Sequence, residues 1–155
     1  MSFLIYREAN KSDIPTISKI RAAIWESEDF WNNRISGYLN GEHNPQQALK
    51  PRIIYVALDG DKIVGFIAGH LTRRYECNGE LEWVNVIEEY QKKGIASKLL
   101  GLLASWFIVQ KSYCICVDVD PANTIARNFY KRLGATDLNK HWLVWEDISI
   151  ALKKE

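Results

Sequence analysis

The chain has 155 residues, room for one domain and little for two, and its 20 Lys and Arg against 19 Asp and Glu leave a net charge of +1. That balance gives no support for a general nucleic-acid or membrane-surface binder, and 47% apolar with 25% charged residues is ordinary globular usage, which excludes wholesale disorder. Cys77, Cys114 and Cys116 are odd in number and lack a paired C-x-x-C, so they make no disulfide framework.

In chain order, MSFLIYREAN lacks a basic leader ahead of a long apolar stretch, and no run approaches the ~18 apolar residues of a membrane span. The expectation is a soluble cytoplasmic protein. Phe3 to Arg7 reads as a first strand. Ser12 or Asp13 can cap a helix that tolerates Pro15 in its first turn and carries a stripe through Ile14, Ile17, Ile20 or Arg21, and Ile24. A second helix is predicted over Asp29 to Leu39, ending near Gly41, and residues 42–51 read as irregular. Runs at 52–58 and 62–71 flank Asp59-Gly60-Asp61 and predict an antiparallel hairpin. Glu80 to Ile87 is another strand. Gly94 to Val109 is a helix with Ile95, Leu99, Leu102, Trp106 and Val109 on one face. Tyr113 to Val119 is a strand with Cys114, Cys116 and Asp118 on one side. Ala122 to Leu133 is a helix ended by Gly134, and 135–139 and 142–150 read as closing strands. Three strands in succession suggest a meander, and the strand–helix–strand unit at 80–119 requires a parallel crossover, so the fold is an α/β sandwich on a mixed sheet.

Two stretches carry chemistry. In Val84-Asn85-Val86-Ile87-Glu88-Glu89-Tyr90-Gln91-Lys92-Lys93-Gly94-Ile95-Ala96-Ser97, a strand ends, a polar turn follows and a helix opens among small residues. The first helical amides have no partners within the helix and lie at the positive end of its dipole. Gly94 and Ala96 leave room for a phosphate to approach them, and Lys92 and Lys93 add charge. An ordinary turn with solvated lysines fits the same residues. In the second stretch Asn123 and Tyr130 lie seven apart, about two turns of one helix face. A helix cap and a packing aromatic would explain them equally.

Taken together, the two stretches resemble the GNAT superfamily of acyl-CoA N-acyltransferases. Gln91-Lys92-Lys93-Gly94-Ile95-Ala96 is similar to the family's Q/R-x-x-G-x-G/A pyrophosphate motif, and Asn123 through Tyr130 to Leu133-Gly134 to its asparagine–tyrosine helix. Arg7-Glu8-Ala9 with Asp13 and the DGDKIVG hairpin at 59–65 extend the likeness over essentially the whole chain. Departures are Ala96 at the last glycine position, Glu88-Glu89 where a proline is frequent, and Ala135 in place of a frequent Phe.

The resemblance implies a single N-acetyltransferase domain over residues 1–155, with about seven strands in a mostly antiparallel mixed sheet and helices on both faces. It implies acetyl-CoA as co-substrate. The amides of residues 93–97 would hold its pyrophosphate, with Gln91 and Lys92 beside them. Val84, Asn85 and Val86 would pair with its pantetheine arm, and the amide near Val86 would polarise the thioester carbonyl. Asn123 would bind the arm and Tyr130 would protonate the departing thiolate or hydrogen-bond it. An alkylammonium acceptor must lose a proton before it attacks. Glu80 and Glu82, which share a strand face, and Asp118 are candidate bases, although each also suits a salt-bridged sheet residue. The segment between the first two helices usually borders the acceptor in this family. Here Trp25, Glu28, Asp29 and Trp31 would suit a cationic amine, or would serve as core anchors and helix-capping acids. The loop Arg73 to Gly79 is a second candidate wall.

The expected acceptor is a small-molecule or peptide amine, without nucleic acid or membrane. A catalytically silent acyl-CoA sensor or scaffold is the alternative. His43, His70 and His141 have no H-x-x-x-H spacing, so no metal is expected. Trp142 and Trp145 suit either a homodimer contact or the core.

Overall fold

The computed structural model describes residues 3–42 and 48–154. The chain runs through β1 (Leu4–Glu8), α1 (Ile14–Ala22), α2 (Glu28–Asn40), β2 (Ala48–Asp59), β3 (Lys62–Thr72), β4 (Gly79–Val86), α3 (Ile95–Val109), β5 (Ile115–Asp118), α4 (Thr124–Arg132), β6 (Thr136–Asp137), β7 (Trp142–Trp145) and α5 (Ser149–Lys153). Seven strands form one sheet in the order β1-β2-β3-β4-β5-β7-β6. Among the described residues only the β4–β5 pairing is parallel, as the crossover through α3 requires.

Alternation along the long strands gives the sheet two apolar faces, and each takes a helical layer. On one face Ile17 of α1 and Trp31, Ile35 and Tyr38 of α2 pack on Val56, Phe66 and Trp83. On the other, Leu99, Leu103 and Phe107 of α3 pack on Val64, Ile67, Leu81 and Ile115, joined by Tyr130, Trp145 and Ile148. The close seat of α3 depends on Gly79, where a Cβ would lie 2.4 Å from Phe107 Cε1. The capping carboxylate Asp13 accepts from the Asn10 amide at 2.8 Å and from Arg7 Nη1 and Nη2 at 2.7 and 3.0 Å, tying β1 to the start of α1.

Two features of β4 shape the site. It pairs with β5 only through Gly79–Leu81 against Ile115–Val117, so the strands separate beyond that point. Opposite β3 the register runs Gly69↔Leu81 and then Ala68↔Trp83, which leaves Glu82 as the extra residue of a bulge.

Several expectations shift. β1 begins one residue later than read, and α1 stops at Ala22, leaving Ile24 exposed rather than on the stripe. Residues 48–51, expected to be irregular, extend β2, while 43–47 lie outside the described residues. The buried face of α3 runs through Ile95, Leu99, Leu103 and Phe107, and Val109 is exposed. The helix is apolar nearly all round, so periodicity alone could not select its face. The predicted strand at 142–150 ends at Trp145. Asp147 Oδ1 then accepts the Ser149 amide at 3.0 Å and the chain turns into α5, burying Ile148 and Ala151. Trp145 is fully buried, so only Trp142 of that pair reaches the surface.

Candidate active site

Where β4 and β5 part, Glu82–Val86 extends along an open notch of the sheet. At its lower end Ile87 opens a turn and Gly94, with φ of +83°, admits the chain to α3. A left-handed turn of this kind favours glycine, and a Cβ there would meet no atom within 4 Å, so backbone conformation rather than crowding selects the residue. Lys92 also has positive φ, and both it and Lys93 are exposed beside the first amides of α3. Gln91 is exposed, and its Nε2 donates to Val86 O at 2.9 Å, bracing the turn against β4. The mouth of α3 therefore offers unpaired amides, dipole and cations to an anion. The backbone of residues 84–86 offers an extended edge leading away from it.

The carboxylates gather on the α2 side of this strand. Glu80 is 4% exposed, with Arg74 Nε donating to its Oε1 at 3.2 Å and His70 Nε2 at 3.6 Å from the same oxygen. Tyr38 and His70 Nδ1 are hydrogen-bonded at 2.8 Å, which fixes the ring, and burial pushes the Tyr38 phenol well up. Glu82 is half-buried. Burial first, then the charge and hydrogen bond of Glu80, push its carboxyl up to about 8, with Arg34 and Arg74 opposing. Two touching carboxylates cannot both ionise freely. Burial and the neighbouring carboxylate both favour the protonated form of Glu82. Asp118 stands exposed on β5, raised by partial burial with His141 opposing.

The two remaining chemical groups come from α4 and α1. Asn123 Oδ1 accepts the Ala126 amide at 3.1 Å and caps α4, leaving its amide group to donate elsewhere. Tyr130 is 5% exposed, edge-on to Trp145 at 5.7 Å, and burial raises its phenol while Arg21 opposes. Arg21 lies over the Trp31 ring at 4.5 Å and donates to Asn85 Oδ1 at 2.9 Å. Its guanidinium, lowered by burial, feels both Glu82 and Tyr130. Trp31 is buried in the core beneath Arg21, whereas Trp25 is 58% exposed, and Glu28 and Asp29 occupy the first turn of α2.

Sequence reading missed His70, Tyr38, Arg21 and Arg34. The β3–β4 register places His70 directly opposite Glu80, a pairing that no local pattern in the sequence marks. The expectation of no metal rests on histidine spacing alone. In three dimensions His70, Glu80 and Glu82 each bring a ligand atom within 4.8 Å of the others.

The family model described as the acetyltransferase (GNAT) family matches residues 17–135. An uncharacterized N-acetyltransferase of Methanocaldococcus jannaschii is 25% identical over 156 residues, spanning 98% of this chain and 92% of its own length. Among solved structures, the PaiA N-acetyltransferase of Thermoplasma acidophilum in complex with coenzyme A has a TM-score of 0.70 at 15% identity, over 94% of this chain and 99% of that one. NAA60 of Arabidopsis thaliana, in complex with a bisubstrate analogue, gives 0.68 at 17% identity over 92% of this chain and 95% of that one. The seven-stranded mixed sheet with its flanking helices is the fold of these acetyltransferases.

Proposed function

We propose that this chain, which belongs to the acetyltransferase (GNAT) family, is a single-domain cytoplasmic N-acetyltransferase that moves an acetyl group from acetyl-CoA to a primary amine by direct attack. The observation that carries this reading is the open β4 edge at 82–86, flanked by the α3 mouth at one end and the Glu80–Glu82 pair at the other. The fit to the donor is chemical: amides and lysines for a diphosphate, an extended backbone edge for an amide-rich arm, and a phenol for a sulfur.

In this reading the amides of residues 93–97 and Lys92 and Lys93 bind the diphosphate. Val84–Val86 and the Asn123 amide align the arm, and the amide near Val86 polarises the acyl carbonyl. Glu82 removes the proton from the acceptor ammonium. A carboxyl raised to about 8 suits this task, because peptide α-amines titrate near ~8 and alkylamines near ~10, so the transfer is closer to balanced than with an ordinary carboxylate. The freed amine forms the new N–C bond as the C–S bond breaks, and Tyr130 donates its proton to the departing sulfur. Its raised pKa keeps the phenol protonated across the working pH range. Glu80, held by Arg74 with His70 Nε2 3.6 Å away, acts on Glu82 through its charge. Asp118 is the alternative base. Arg21, Trp25, Glu28 and Asp29 would wall the acceptor, a peptide or small-molecule amine. The mechanism invokes no metal, and Trp142 is the surface through which a homodimer would form.

The test is thiol release from acetyl-CoA across a panel of peptide and small amines. Turnover with at least one acceptor, abolished when the amine is omitted, is the expected result. Coenzyme A binding without release on any amine would contradict the reading.

A further inference from the structure

The face of β5 and β7 that α1 and α2 leave uncovered is closed by the turn Arg74–Glu76 and by a small cluster of Cys77, Cys116 and Val144 with Cys114 and Trp142. Three free thiols therefore meet in this cluster. Cys114 Sγ donates to Cys77 Sγ at 2.9 Å. A disulfide bond is ~2.05 Å long, so the sulfurs need approach by less than an ångström. Their backbones are already clasped: the Asn78 and Gly79 amides donate to Cys114 O at 2.7 and 3.1 Å, and Cys114 N donates to Asn78 Oδ1 at 3.2 Å. Cys116 is turned toward Gly79 O, 3.7 Å away.

The three thiols are not equivalent. The neighbouring thiols of Cys116 and Cys114 draw Cys77 down to about 7 against burial and the charge of Glu80. Burial, with Cys77 adding, pushes Cys114 up to about 12. Cys77 thus has thiolate character and Cys114 remains a protonated neighbour. Cys77 is 4% exposed and Cys114 half-buried, so an attacking reagent must be small.

We propose that Cys77 and Cys114 form a peroxide-responsive dithiol that closes to a reversible disulfide. The Cys77 thiolate attacks hydrogen peroxide, breaking its O–O bond to give a sulfenic acid and hydroxide. The Cys114 sulfur then attacks the sulfenic sulfur, the S–S bond forms and water leaves with the Cys114 proton. Sulfur supplies two electrons and peroxide accepts them. The closed bond pins the turn carrying Arg74, whose carbonyl accepts the Cys77 amide at 2.9 Å and whose side chain holds Glu80. This chemistry does not depend on the acyl-transfer reading.

The experiment treats the reduced full chain with hydrogen peroxide, alkylates it under denaturing conditions and maps peptides by mass. The expected product carries one alkylated cysteine, Cys116, and a Cys77–Cys114 link placed by fragmentation between Cys114 and Cys116. Dithiothreitol should restore three alkylation sites. Cys116→Ser should keep the link, Cys77→Ser should lose it, and Cys114→Ser should accumulate a dimedone-reactive sulfenic acid at Cys77. Three alkylatable thiols after peroxide, a link that uses Cys116, or irreversible oxidation of Cys77 without a link would overturn the proposal.

Discussion

Tyr130 and Glu82 divide the proton work of the proposed reaction, and each makes its own prediction. Tyr130→Phe removes one hydroxyl from a packed ring and should leave the fold intact while lowering kcat roughly 10²–10⁴-fold. Steady-state kinetics beside a thermal melt check this, and unchanged turnover would remove the phenol from the mechanism. Glu82→Gln should lower kcat and abolish the rise of activity with pH through about 8. It also has a stability signature. Between its unfolded value near ~4.3 and its native value, folded Glu82 keeps a proton that the unfolded chain releases, so wild-type stability falls as pH rises across that window. The variant should therefore match the wild type near pH ~4 and exceed it near pH ~9 in urea midpoint; parallel pH dependences would contradict the assignment. The carboxylates were legible in sequence as two residues of one strand face. Their partners were not, because His70, Arg74 and Arg34 reach them only through strand register, a turn and a neighbouring helix.

Among the elements, α3 and the β1–α1 junction show how local chemistry fixes geometry. Gly94 and the small residues after it were readable as a helix mouth, since the signal is steric and lies within a few residues. The face of α3 was not readable, because its near-continuous apolar surface left the choice to packing. The closing strand was misread for a related reason: Ile148 and Ile150 look β-like, but Asp147 caps a turn that docks α5 on α3. At the other end, Asp13 holds both the Arg7 fork and the Asn10 amide, and these bonds keep its carboxyl below the usual range. Asp13→Ala should destabilise the protein by roughly 2 kcal/mol, the scale of hydrogen bonds to a charged group. The loss should be seen at neutral pH and fade as acid protonates the wild-type carboxyl, because a lowered carboxylate contributes only above its unfolded pKa. Denaturant titrations at two pH values decide it.

At the scale of the whole molecule, one parallel pairing in an otherwise antiparallel sheet creates the notch, and the two helical layers deliver the groups around it. α1 and α2 bring Arg21, Arg34 and Tyr38, while α3 and α4 bring the mouth amides, Asn123 and Tyr130. The order of elements followed from periodicity and turn residues, whereas the shortness of the β4–β5 pairing depends on long-range contacts that no local pattern encodes. Gly79→Ala tests the closeness of the α3 layer. The added methyl meets Phe107 and Ile115 and should cost about 1–3 kcal/mol through overpacking, read from urea unfolding. The most direct test of the account is a crystal structure with coenzyme A. The account predicts the diphosphate on the amides of residues 93–97, the arm along Val84–Val86, and the sulfur within hydrogen-bonding reach of the Tyr130 hydroxyl. A diphosphate bound elsewhere, or a sulfur remote from that hydroxyl, would contradict it.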